Sequence, residues 1–245
     1  MRELTIAATP NFSPEGYADV AKLKNSLTFL NVNANNNINE ESLHHIFSMT
    51  NLRVLMFVDA KVTDPGIYSG LVKMTQLRKL YGMILYDNET LSYLAQVYSL
   101  TAFGFQSGQN TAPAISAKYL SKLTELKEMT GIRIINAHHL ASLTNLERLP
   151  LYRQTIDENF PWQRMTKLSS VYVDTIDSKA LQKISNLVNL TSLTFQHLTN
   201  PQKNDFEGIE RCQYLRTLNF SNRPITDKRK CFWHYQRSNN IIYNF

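Results

Sequence analysis

At 245 residues, with 43% hydrophobic and 19% charged side chains, the chain carries enough apolar material for a substantial core, which excludes a disordered tail or a collagen-like fibre. Its 26 Lys and Arg against 20 Asp and Glu leave a formal charge of +6, which attracts acidic partners but is a weak signal for nucleic acid because the two signs are interspersed. Cys212 and Cys231 are too few for a disulfide framework and favour a reducing compartment, and no segment approaches the ~18 uninterrupted apolar residues of a membrane span.

Residues 1–26 hold the apolar pair Leu4 and Ile6, a loop with Pro and Gly, and then Gly16 to Leu23. No apolar run long enough for a secretory core follows Met1, and Glu3 sits within the stretch. This segment matches poorly the pattern that follows it and is expected to cap the open end of a core.

From Leu27 onward one frame recurs about every 20 to 26 residues, opening at Leu27, Leu52, Leu77, Leu100, Leu126, Leu146, Leu168, Leu190 and Leu215. The next two apolar positions usually lie three and five residues on, as in Leu52, Leu55 and Phe57, or Leu190, Leu193 and Phe195. Gaps of three and two fit neither a lone amphipathic helix nor a lone strand, but they suit a coil of chain with a short strand on one side. A second signature, as in Leu143-Thr144-Asn145-Leu146 and Met165-Thr166-Lys167-Leu168, precedes most strands, and its first residue is expected to close the preceding helix onto the core. Cys212 fills that slot and reads as a small buried hydrophobe rather than a reactive thiol.

After the strands, Val62-Thr63-Asp64-Pro65, Ile156-Asp157, Ile176-Asp177-Ser178 and Ile225-Thr226-Asp227 each supply an Asp able to cap a helix, with Pro65 suited to the first helical position. Helical spacing in Glu40 to Phe47 and in Ser178 to Ile184 predicts one short helix per coil on the outer side. Beyond residue 227 the frame dissolves into an aromatic, basic segment, 228–245, expected to cap the last strand. The domain organisation is therefore an N-terminal cap (1–26), about nine repeats (27–227) and a C-terminal cap, in one continuous array.

This frame, Leu-x-x-Leu-x-Leu followed by an apolar residue and Asp and preceded by Leu-Thr-Asn-Leu, resembles the leucine-rich repeat. It is closest to the short-repeat branch seen in internalin-like bacterial proteins and in a nuclear phosphatase regulator. The resemblance spans residues 23 to 227 and implies an α/β repeat solenoid: a horseshoe or arc with a parallel sheet on its concave side, short helices on its convex side and capped ends. The family usually carries Asn three residues after the last strand apolar, where it forms a ladder along the turns. Here only Asn35 keeps it, the other copies having Ala60, Leu85, Gly108, Ile134, Gln154, Ile176, Leu198 and Arg223, so the turns are expected to satisfy their backbone groups otherwise. The inward slots at Gly82 and Gly131 are also weak.

Side chains alternate along a strand, so residues between the inward apolars are expected on the concave face. One column reads Asn31, Met56, Tyr81, Gly104, Thr130, Pro150, Tyr172, Thr194 and Asn219, and the next Asn33, Val58, Met83, Gln106, Ile132, Tyr152, Asp174, Gln196 and Ser221. Met56, Val58, Tyr81 and Met83, with Phe29 and Val54 beside them, form an expected apolar patch of the kind that marks a contact surface. Ile132, Arg133, Arg148, Tyr152, Arg153 and Tyr172 extend it with the residue types enriched at interface hot spots.

No G-x-S-x-G, no phosphate loop and no Cys with a persuasive His partner is present, so neither an active site nor a cofactor is expected. The pairs His44-His45 and His138-His139 lack the further ligands that a zinc site needs, and Lys228-Arg229-Lys230 reads as a solvated edge. The expectation is a non-enzymatic, cytoplasmic, monomeric module that binds another protein on its concave face, an adaptor or a bacterial effector delivered into a host cell. Two alternatives stay open: a regulatory subunit docking on an enzyme such as a phosphatase, and a basic scaffold for nucleic acid or other polyanions.

Overall fold

A computed structural model describes residues 1–7, 9, 12–33, 37–57, 60–84, 87–105, 114–131, 133–202, 205, 206 and 209–220. The expected C-terminal cap with Cys231 and the Asp227 helix cap lie outside the described residues. The chain divides into two units, Met1–Ile132 and Arg133–Phe245.

In the first unit, strands β1 (Glu3–Thr5), β2 (Phe29–Asn31), β3 (Val54–Met56), β4 (Lys79–Met83) and β5 (Ala102–Phe105) lie side by side in parallel. Beyond β6 (Ala114–Ser116), which stands outside this sheet, β7 (Glu128–Thr130) pairs parallel with β5. The second unit opens with β8 (Arg133–Ile135) and continues with β9 (Arg148–Ile156), β10 (Ser170–Asp177), β11 (Ser192–Thr199) and β12 (Thr217–Phe220), the last four again parallel and in order. Parallel neighbours need a crossover, and here each crossover carries a helix, so one turn of the solenoid is a strand, a helix and two corners.

Those helices include α1 (Pro14–Ala21), α2 (Glu40–Phe47), α3 (Asn88–Leu94), α4 (Ala117–Leu120) and α5 (Ser178–Lys183). Other coils carry 3-10 segments instead, at Pro65–Lys73, Ala137–Ser142, Trp162–Arg164 and Ile209–Arg211. Their starts follow the expected capping chemistry. Asp64 Oδ1 accepts from the Gly66 N–H at 2.9 Å with Pro65 at the first helical position, and Asp177 Oδ1 accepts from the Lys179 N–H at 2.9 Å. Asn39 and Asp87 cap α2 and α3 in the same way. The Asp177 carboxyl is held below its usual range by the Asn200 side-chain amide and then by the Lys179 N–H.

The frame positions form the core. Leu52, Leu55 and Phe57, Leu77 and Leu80, Leu100 and Phe103, Leu146, Leu149 and Leu151, and Leu190 and Leu193 are all buried. The slot three residues before seven of the nine opening Leu residues is closed by a fully buried side chain: Met49, Met74, Leu123, Leu143, Met165, Leu187 and Cys212. Each of these residues accepts a backbone hydrogen bond from the strand Leu three residues on, for example Leu52 N–H to Met49 O at 3.1 Å and Leu215 N–H to Cys212 O at 2.9 Å. The signature is thus one tight turn that drops a bulky side chain inward. Cys212 behaves as that hydrophobe, fully buried with its thiol 3.7 Å from the Ile184 carbonyl oxygen.

The strand entries carry a ladder of their own. The residue after the opening Leu offers its carbonyl to two N–H groups of the next coil: Arg53 and Val54 both donate to Thr28 O, Arg78 and Lys79 to Arg53 O, and Thr191 and Ser192 to Ser169 O. Hydroxyls in that slot reinforce it, Thr101 donating to Arg78 O at 3.0 Å and Thr191 to Ser169 O at 2.8 Å. Backbone groups at these strand entries are thereby paired from one coil to the next.

The N-terminal segment, expected as a cap, contributes a strand and a helix. Glu3, Leu4 and Thr5 pair with Phe29, Leu30 and Asn31, so β1 adds a strand to the sheet, and α1 buries Tyr17 and Val20 against the coil beneath.

Candidate docking face of the parallel sheet

Register decides which side chains share the exposed face. In the first unit Thr5, Asn31, Met56, Tyr81, Gly104 and Thr130 are direct cross-strand partners, and Glu3, Phe29, Val54, Lys79, Ala102 and Glu128 form the row beside them. Buried Leu30, Leu55, Leu80, Phe103 and Met129 alternate with these rows on the opposite side of the sheet. Phe29, Val54, Met56 and Tyr81, four of the six residues of the expected patch, are each half-buried and adjoin through Phe29↔Val54 and Met56↔Tyr81.

The middle of the strip is shaped by a missing side chain. A Cβ on Gly104 would lie 2.9 Å from Tyr81 Cδ1 and 2.6 Å from Thr130 Oγ1, so the Tyr81 ring settles across the glycine.

Met83 corrects the expectation. Its side chain is 1% exposed and its strand partner is Phe105, an inward residue, so Met83 belongs to the core rather than to the face. The cause is Gly82, whose φ of 92° makes an extra residue in β4 and shifts the register between Tyr81 and Met83. Gly131, just after β7, also has a positive φ, 70°, and a Cβ there would lie only 2.3 Å from the Phe105 carbonyl oxygen. Val58 and Ile132, expected on the face, lie outside the described residues.

The entry row was missed by the sequence reading, which considered only positions between the inward apolars. Arg53 and Arg78 occupy the slot after the opening Leu, are exposed, and stand one residue before Val54 and Lys79 of the face. The signal was present, since the same slot holds Lys127 and Arg216. Arg78 Nη1 donates to Ser99 O at 3.2 Å, which holds that guanidinium along the strand entries.

On the second unit the face is polar. Arg148, Ser170, Ser192 and Thr217 form one row, and Pro150, Tyr172, Thr194 and Asn219 the other. Tyr172 is half-buried, its hydroxyl oxygen accepting from Gln196 Nε2 at 2.5 Å. Arg148 and Arg153 are exposed, and Arg133 is half-buried with a buried Nε that finds no hydrogen-bond partner among the described residues. Tyr152 lies in β9 at the start of an irregularity in which Asp174 of β10 stands against Tyr152, Arg153 and Gln154. Arg153 takes φ 56° there, and its N–H donates to Asp174 Oδ2 at 2.5 Å. Strand alternation therefore does not carry through Arg153.

His44 and His45 lie on α2, and His138 and His139 lie in a 3-10 helix with ring centroids 4.2 Å apart. Among the described residues no group of three His, Cys, Asp or Glu is placed to hold a metal, and no helix is long and apolar enough to cross a membrane.

Solved structures share this arrangement. Internalin C2 from Listeria monocytogenes matches with 20% identity and TM-score 0.54 over 69% of this chain and 71% of its own. A second Listeria monocytogenes internalin, InlF, matches with 19% identity and TM-score 0.52 over 99% and 86%. This is a leucine-rich-repeat fold. The TLR13 chain of a complex with ssRNA13 shares it at 17% identity and TM-score 0.57 over 89% of this chain and 36% of that chain. No protein-family model and no curated protein matches the sequence of this leucine-rich-repeat chain.

Proposed function

We propose that the chain is a non-enzymatic interaction module that takes another protein on the exposed, concave side of its sheet. The observation that carries this reading is the contiguous strip Phe29, Val54, Met56 and Tyr81, aligned by strand register on a face where other copies place Asn, Thr and Ser. Leaving such a strip in water is unfavourable by ~25 cal/mol for each Å² of apolar surface, and a partner that covers it recovers that free energy. The strip sits on paired strands rather than on a loop, so little ordering opposes binding. Arg148, Arg153 and Tyr172 give the second unit its own set of polar contacts for a protein surface.

The cysteine content supports a reducing, cytoplasmic setting, and the likeness to bacterial internalins supports an effector or adaptor role. Affinity capture with wild type and with a Met56→Glu, Tyr81→Glu double variant tests the reading. Loss of about 30-fold or more in affinity is expected if these are hot-spot residues. Undiminished capture by a folded double variant would remove the sheet face from the account. Binding that instead falls steeply with salt would favour the polyanion scaffold.

A further inference from the structure

Two rows of the first unit differ sharply in chemistry. The face rows carry the apolar strip, while the strand-entry row reads Arg2, Thr28, Arg53, Arg78, Thr101 and Lys127, each aligned with the next through the shared carbonyl ladder. Lys79 joins the cations from within the face, as the cross-strand partner of Val54. Among the described residues of these rows, five cations stand against the carboxylates of Glu3 and Glu128, and those two lie at the ends of the face row rather than beside Met56. Arg2, Arg53, Arg78, Lys79 and Lys127 are all exposed. Strands in a sheet lie ~4.8 Å apart, so a cation recurs along the strip within the reach of a single bound segment.

From this juxtaposition we infer that the partner segment seated on the strip is acidic and amphipathic: one edge apolar, to cover Val54, Met56 and Tyr81, and the adjoining edge rich in Asp or Glu, to meet Arg53, Arg78 and Lys79. The inference rests on the docking reading above and names the chemistry of its occupant. Guanidinium groups suit this role because their planar donors take carboxylates two bonds at a time, and a row of like charge rejects basic segments by repulsion. A segment that was apolar on both edges would bring no carboxylate to Arg53, Arg78 and Lys79.

Selection of a displayed library of random 16-residue peptides on the full chain tests the inference. Peptides that bind wild type but not the Met56→Glu, Tyr81→Glu variant are sequenced, and their affinities are measured on an Arg53→Glu, Lys79→Glu variant whose folding is checked by thermal melting. The expected result is a net negative peptide set that loses about tenfold or more on the charge-reversed variant and recovers when its own carboxylates are changed to lysines. Face-dependent peptides that are neutral or basic, or that ignore the charge reversal, would overturn the acidic occupant while leaving the docking face intact. Peptides indifferent to Met56→Glu, Tyr81→Glu would overturn both. Self-association of wild type in sedimentation that this double variant abolishes would make a second copy the occupant and would also overturn the inference.

Discussion

The ring of Tyr81 lies across the bare backbone of Gly104, which is its direct partner in the parallel sheet. A single methyl at residue 104 would press on both Tyr81 and Thr130, so Gly104→Ala is expected to tilt the ring out of the strip. Overpacking of this kind costs about 1–2 kcal/mol, and binding of any partner to the strip should weaken more than stability does. Thermal melting together with the affinity of a selected peptide separates the two effects. A normal affinity with a lowered Tm would show that the position of Tyr81 is irrelevant to docking.

The pair Arg153 and Asp174 gives a prediction for the second unit. Because the Arg153 N–H is held by the Asp174 carboxylate, Asp174→Ala is expected to destabilise by about 1–2 kcal/mol. Arg153→Gly should be nearly neutral, within about 1 kcal/mol, since relief of the left-handed conformation offsets the greater freedom of glycine in the unfolded chain. Chemical denaturation measures both. A severe loss in Arg153→Gly would mean that its side chain, not its backbone, holds the turn.

Glu40 ties the start of α2 to the next coil. Its carboxylate accepts from the Thr63 N–H at 2.5 Å, the Thr63 hydroxyl at 2.8 Å and the Asp64 N–H at 3.3 Å, and these bonds lower its pKa from 4.5 to about 2, the Thr63 N–H contributing most. Because the folded value is the lower one, the stabilisation is complete above pH 4.5 and fades as the pH falls toward 2. Glu40→Gln should therefore cost about 1 kcal/mol at neutral pH and much less near pH 2, the partly exposed site keeping the effect small. Urea midpoints measured across that range check it, and an equal cost at both ends would contradict it.

A buried pair closes the coil beyond β11. Asp205, 5% exposed, accepts from the Ser178 hydroxyl and from the Gln202 N–H, the latter at 2.9 Å. Asp205→Ala would strand both donors and should destabilise by about 2–3 kcal/mol, whereas Asp205→Asn, which keeps an acceptor, should cost less. Hydrogen exchange around α5 reports whether the loss is local.

Much of the architecture was legible in the residues because a fixed Leu frame recurs through divergent copies and alternation holds across the first three residues of most strands. The column Asn31, Met56, Tyr81, Gly104 and Thr130 was assembled from spacing alone, and strand register aligns the same residues. The failure came where backbone geometry breaks the period. Met83 was placed outside because counting by twos runs through Gly82, whereas the positive φ of that glycine inserts a residue and turns Met83 inward. Glycine at an inward slot was itself the warning. Arg53 and Arg78 differ: they precede the strand, outside the alternating positions, and the hydrogen bonds of the strand entries align the row that their shared slot after the opening Leu suggests.

Photo-crosslinking tests the docking face most directly, with a benzoyl-phenylalanine placed at Met56 and, in a second protein, at Glu41 on the exposed side of α2. The account predicts a discrete adduct with a selected peptide from residue 56, abolished by Tyr81→Glu, and none from residue 41. An adduct formed from residue 41 with none from residue 56 would contradict it.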